Sequence, residues 1–151
     1  QGNKIKLFKT FFEKHIVYDD DDELEISEIY KILQNKNECN ITESLLEDLI
    51  SHYTSYRSED GKTINNISCN LWNKQEEILE SLENKFNKPD IFQNNPNNYI
   101  SIYEIYILYC KYSNNNNKIL TVSKKYFEKY ILKLIPNDFI WNNNILLTYW
   151  K

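Results

Sequence analysis

Apolar residues recur at helical spacing through most of this chain, and one stretch sets the pattern for the rest. In Val122 to Leu134 the stripe positions are Val122, Tyr126, Phe127, Tyr130, Ile131 and Leu134. They form one continuous stripe of an α-helix, with Ser123 in the N-cap position. Lys124, Lys125, Lys129 and Lys133 fall off the stripe, so the helix has a buried face and a basic one. The same spacing occurs 81 positions earlier, in Ile41, Leu45, Leu46, Leu49, Ile50 and Tyr53, with Thr42 where Ser123 stands. There the off-stripe residues include Glu43, Glu47 and Asp48. Two equivalent helices are predicted, one acidic and one basic.

The other stretches extend this correspondence. Leu7, Phe8, Phe11, Phe12 and Ile16 predict a first helix over 4–16, with His15 at the edge of its stripe as a hydrogen-bonded core-edge residue. Asp19 to Glu23 are five acids in a row, which repel one another and read as a loop. They lack the glycine and the spaced ligands of a calcium loop. Leu24 and Ile26 alternate as a short strand, and Ser27 is placed to cap a second helix carrying Ile29, Tyr30, Ile32 and Leu33. Asp60-Gly61 is the best hairpin-turn dipeptide, and Ile67, Cys69 and Leu71 alternate toward Trp72 as a strand does.

After Trp72 the pattern restarts. Ile78, Leu79, Leu82 and Phe86 match Leu7, Phe8, Phe11 and His15 at an offset of 71. Lys88 to Asn98, with two prolines, reads as a loop. Ile100 and Ile102 match Leu24 and Ile26 at 76, and Tyr103–Tyr109 matches Ser27–Leu33 at the same offset. Asn114 to Asn117 read as an insertion. Phe139–Trp141, Asn142–Asn144 and Ile145–Trp150 read as strand, turn, strand, the last matching Ile67–Trp72 at 78. The offsets change only in polar loops, which predicts an internal duplication with repeats over 4–72 and 74–150.

Composition adds three points. Alanine and methionine are absent, and Asn, Ile, Lys and Tyr dominate. These residues have A/T-rich codons and point to an AT-rich genome, such as that of a large DNA virus, an apicomplexan or a slime mould. Gln1-Gly2 reads as a cleavage scar on a piece of a longer protein. The cysteines Cys39, Cys69 and Cys110 are odd in number and far apart, and only His15 and His52 accompany them. Neither a disulfide scaffold nor a zinc site is predicted, and a reducing, intracellular compartment fits. No apolar run nears 18 residues, so no membrane insertion is expected.

Each repeat orders as helix, short strand, helix, helix, hairpin, and this resembles the winged-helix fold, a helix-turn-helix relative. The expected class is therefore mainly α with small β-hairpins (α+β), built as two tandem winged-helix-like repeats. The resemblance implies that the third helix of each repeat is the recognition helix. It also makes the Asp60-Gly61 and Asn142–Asn144 turns the tips of wings. The run Tyr103–Tyr112 with Val122–Ile131 also resembles C-terminal segments of the helicase–primases of poxviruses and giant viruses, which implies replication in the host cytoplasm or a viral factory. No G-x-x-x-x-G-K-S/T occurs.

Charge divides the functions. Residues 1–72 carry 8 basic and 14 acidic side chains, a net of −6; residues 73–151 carry 10 and 8, a net of +2, which together give the overall −4. The expected function is a non-catalytic nucleic-acid-binding accessory module. It contacts DNA (single-stranded or duplex) or RNA through Lys124, Lys125, Lys129 and Lys133, with Lys111 and Lys118. The alternative is a protein–protein interaction scaffold, favoured by overall acidity and by a single arginine, Arg57. No nucleophile–base pair or carboxylate cleft stands out, so neither an enzyme nor a cofactor is expected.

Overall fold

The computed structural model describes residues 2–36, 40–86, 99–134, 139–142 and 145–148. The protein is mainly helical with small antiparallel sheets, an α+β chain. In order the elements are α1 (Gly2–His15), β1 (Ile16–Glu25), α2 (Ile26–Lys36), α3 (Glu43–Tyr53), β2 (Thr63–Cys69), α4 (Lys74–Phe86), β3 (Tyr99–Ser101), α5 (Ile102–Asn115), α6 (Lys124–Leu134), β4 (Phe139–Asn142) and β5 (Ile145–Thr148). The contacts divide the chain into two compact units, Gln1–Asn73 and Lys74–Lys151. Among the described helices none is long and apolar enough to cross a membrane.

The first unit is built around aromatic residues of α1. Phe8 and Phe11 are fully buried, and the Phe8 and Phe12 rings lie 4.5 Å apart. Ile29 and Leu33 from α2, Leu46 from α3, and Leu24, Ile64 and Ile67 from the strands close the core. His15 is 5% exposed. The Asn70 amide nitrogen donates to the Lys14 carbonyl, so its oxygen faces the His15 Nδ1 at 2.7 Å and that nitrogen carries the proton. His15 is thus a core residue held by the chain at the end of β2, with Nε2 unpaired.

The sheet differs from the sequence-based expectation in three ways. First, Asp19–Asp22 lie within β1 rather than in a loop. Tyr18 pairs with Ile67 and Glu23 with Asn65, so four acids stand opposite the single residue Asn66. The ladder breaks where charge repulsion and a positive φ of 64° at Asn66 both oppose regular pairing. Second, β2 pairs with β1, and Asp60-Gly61 joins no hairpin. It makes the turn into β2, with Gly61 at φ 75°. The Asp60 carboxylate accepts the Lys62 and Thr63 N–H groups at 2.9 and 2.8 Å and is held well below its usual pKa by those bonds. Third, α2 starts at Ile26, directly from β1, so Ser27 is not its cap. Instead the Glu28 carboxylate reaches back to the Glu25 N–H at 2.8 Å, as in a capping box.

The second unit has the order helix, strand, helix, helix, strand, strand, with β4 additional to the elements of the first. Its sheet runs β3-β5-β4, all antiparallel. The expected strands at Phe139–Trp141 and Ile145 onward form, while Asn143, Asn144 and the prolines of 88–98 lie outside the described residues. Asn114 and Asn115 extend α5 rather than starting the insertion.

Burial and strand register revise two of the offsets between units. Leu7 and Leu79 are exposed, whereas Phe8 and Ile78 are fully buried, as are Phe11 and Ser81. The first helices therefore correspond at 70, not 71. Glu25 pairs with Thr63 and Ser101 with Ile145, and Leu24 with Ile64 as Ile100 with Leu146. The last strands correspond at 82, not 78, which sets Ile145 against Thr63 rather than Ile67. α2 and α5 begin 76 residues apart, and α3 and α6 begin 81 apart.

The caps of α3 and α6 are alike. Thr42 Oγ1 accepts from Leu45 N–H at 3.1 Å, and Ser123 Oγ accepts from Tyr126 N–H at 3.2 Å. In each case the residue before the cap (Ile41, Val122) and the fourth helical residue (Leu46, Phe127) are buried, the positions of a hydrophobic staple. Thr42→Ala and Ser123→Ala are each expected to lower stability by about 1 kcal/mol, read as a shift in the urea midpoint, with Ser→Thr at position 123 neutral.

Candidate nucleic-acid interface

The position of α6 is fixed before its surface chemistry matters. Two tyrosines one turn apart on α5 hold the peptide that enters it. The Tyr106 hydroxyl donates to the Val122 carbonyl at 2.8 Å, and the Tyr109 hydroxyl accepts the Val122 N–H at 2.9 Å. Val122 is fully buried, so both of its backbone polar groups need protein partners. The rings of Tyr106 and Tyr109 each lie 5.3 Å from the Phe127 ring on α6. From the other side Tyr109 also donates to Glu77 at 3.4 Å, and Tyr112 donates to Glu80 at 2.8 Å, tying α5 to α4. Burial pushes the Tyr106 hydroxyl up to about 12, and raises that of Tyr109 further, because a phenolate would be stranded among apolar neighbours.

On this base α6 presents its lysines. Lys124, Lys125, Lys129 and Lys133 are all exposed. Lys125, Lys129 and Lys133 repeat every fourth residue and line one edge of the helix over about 12 Å. The first turn contains Lys124 and Lys125 and no acid, whereas α2, α3, α4 and α5 each carry acid in their first turn. Two cations therefore sit at the positive end of the helix dipole, where each is disfavoured by about 0.3–1 kcal/mol. Lys124 forms an i,i+4 ion pair with Glu128 at 3.8 Å. In the first unit the matching α3 positions hold Glu43, Ser44, Asp48 and His52, so the equivalent face is acidic.

The other two expected contacts are placed differently. Lys111 is exposed on α5. Lys118, in the loop before α6, is half-buried and ion-paired with Glu80 at 3.9 Å. α6 therefore gathers four of the six lysines, and Lys118 is engaged in holding its loop to α4.

Two residues that the sequence pattern did not single out contact α6. Tyr103, on the first turn of α5, is 58% exposed, and the Lys124 ammonium lies 5.3 Å from its ring centre. Its only sequence signal is that it falls off the α5 stripe of Ile102, Ile105, Tyr109 and Tyr112. Lys74 at the start of α4 is buried, with its ammonium 4.8 Å from the Tyr126 ring. It braces the buried side of α6 from α4. Among the described residues no group of three or more His, Cys, Asp or Glu side chains can hold a metal.

Tyr109→Phe is expected to lower stability by about 1–3 kcal/mol in urea unfolding, because the buried Val122 N–H loses its acceptor. The raised tyrosines also give an alkaline limit. Their protonated forms are favoured in the folded state. The stability they contribute is complete below the unfolded tyrosine value near 10 and is lost as pH rises toward 12. An absorbance titration should show a late-ionising class of tyrosines whose ionisation coincides with unfolding.

No protein-family model matches this sequence, and no curated protein or solved structure matches it either.

Proposed function

We propose that the second unit is a nucleic-acid-binding module that grips the phosphate backbone with α6, and that the chain acts as a non-catalytic accessory to a larger replication or transcription protein. The observation that carries this is the lysine face of α6, with two cations in its first turn where the other helices from α2 to α5 place acid. A helix N-terminus flanked by lysines attracts anions through its dipole and the side-chain charges together. The phosphates of nucleic acid are the polyanion that a stripe of evenly spaced lysines matches.

On this reading both units are winged-helix relatives derived by duplication. The offsets 70, 76, 81 and 82 rise along the chain without reversal, so the second unit differs from the first by insertions alone. The sheet order β3-β5-β4 follows a hairpin folded back onto the first strand, as the winged-helix resemblance requires. The first unit keeps the helices and the β1–β2 pair and lacks the wing. α6 is then the recognition-type helix and α3 its acidic counterpart.

A second reading attaches to the first unit. Tyr18 is 72% exposed and Val17 42% exposed on β1, next to the acids Asp19–Asp21. An exposed aromatic beside clustered acid suits a basic protein partner, which makes that unit the one that docks the module into its assembly.

Anisotropy titration of labelled DNA against the full chain tests the main reading. The logarithm of the binding constant is expected to fall against the logarithm of salt concentration with a slope of about −2 to −3, for roughly three phosphate contacts. Lys125→Glu with Lys129→Glu should abolish most of the affinity without lowering the thermal melt, since an acid at position 125 suits the helix dipole. Salt-independent binding, or binding indifferent to those charges, would reject the proposal.

A further inference from the structure

We infer that Tyr103 and the lysines of α6 form one surface that binds single-stranded nucleic acid without reading its sequence; this rests on the nucleic-acid reading above and narrows it. Tyr103 presents a largely exposed ring at the start of α5, while Ile102 and Ile105 beside it are buried. The core does not need the ring. Across the helices the Lys124 ammonium lies over this ring, 5.3 Å from its centre, so a charge and a largely exposed aromatic stand together. That pairing is what an unpaired base with its phosphate requires: the base lies on the aromatic ring and the phosphate meets the ammonium. Duplex bases are already stacked on one another and cannot use the ring.

The side chains that α6 offers point the same way. From Ser123 to Leu134 there is no arginine, asparagine or glutamine. These are the planar donors and donor–acceptor pairs that grip guanine and adenine edges in a duplex groove. The chain's single arginine, Arg57, belongs to the first unit, and its Nη1 donates to the Thr54 and Tyr56 carbonyls. Lysine ammoniums recognise phosphates as point charges and carry little base preference. Glu128 shares Lys124 with the ring, so a bound phosphate displaces part of an existing ion pair and the affinity is modest and steeply salt-dependent.

The test is anisotropy of labelled oligothymidylate, oligouridylate and a DNA duplex of equal length with the full chain at low salt. Both single strands are expected to bind more tightly than the duplex. A preference between them identifies DNA or RNA as the natural strand. Tyr103→Ala should weaken single-strand binding about tenfold and leave duplex binding unchanged, while Tyr103→Phe, which keeps the stacking face, retains wild-type affinity. Tyr53→Ala is the control. It removes an exposed tyrosine under a lysine in the first unit, with Lys9 at 4.7 Å, and should change nothing. If the duplex binds as tightly as the single strands, or Tyr103→Ala binds like wild type, this inference is overturned. Loss of binding on reversing Lys125 and Lys129 would then leave the broader function standing. If no strand binds at low salt, both fall.

Discussion

The fully buried peptide at Val122 depends on two tyrosine hydroxyls, and the placement of α6 depends on that peptide. A buried N–H and a buried carbonyl each cost about 1–3 kcal/mol when unpaired. Tyr106 and Tyr109 satisfy one each from adjacent turns of α5. Their rings contact Phe127 in the next helix, so hydrogen bonding and apolar burial fix the same point. Glu77 and Glu80 continue the chain of contacts back to α4. The corresponding residues in the first unit are Tyr30, Leu33 and Ile41. Leu33 has no hydroxyl to offer, and the Tyr30 hydroxyl accepts from Gln34 on its own helix instead. The first unit places α3 by apolar burial and the Thr42 cap. The second adds a polar clasp to a helix whose first turn is electrostatically unfavourable.

Helices were legible in the sequence because their signals are local. The stripes of α3 and α6, and the Thr42 and Ser123 caps, follow from spacing within a dozen residues, and both helices begin directly after those caps. Strand pairing was less legible, because register is set by partners far along the chain. Ile67–Trp72 and Ile145–Trp150 look alike as isoleucine-to-tryptophan runs, yet the ladders set Ile145 against Thr63. The first-helix match slipped by one for a related reason. Leu7-Phe8 and Ile78-Leu79 are adjacent apolar pairs, and only burial decides which member faces inward. Asp60-Gly61 does make a turn, but a turn becomes a hairpin only if a strand precedes it, and residues 54–62 contain none.

Part of the surface was legible for the same local reason. The four α6 lysines stand off an apolar stripe, and all four are exposed. Lys118 was misleading because its partner Glu80 is remote in sequence, so the ion pair leaves no local trace. Tyr103 was missed in the opposite sense. Tyrosine is so frequent in this chain that one more off a helix stripe does not stand out, and only its exposure beside Lys124 distinguishes it.

The two units amount to a comparison made within one molecule. α3 and α6 share the cap, the stripe and the buried staple positions, so the helix itself does not account for the difference in charge. At its first position α3 has Glu43, which the helix dipole favours, and α6 has Lys124, which it disfavours. A lysine-rich first turn lowers helix stability by about 0.3–1 kcal/mol per residue relative to a neutral one, and more relative to glutamate. Local rules broken at one helix, kept at its counterpart and offset by added polar contacts nearby mark a place where stability has yielded to something else. On the proposed reading that is a phosphate, whose arrival turns the unfavourable charge into a favourable one. On the same reading the acidic α3 has no use for a polyanion, and its unit is the one proposed to meet a protein partner.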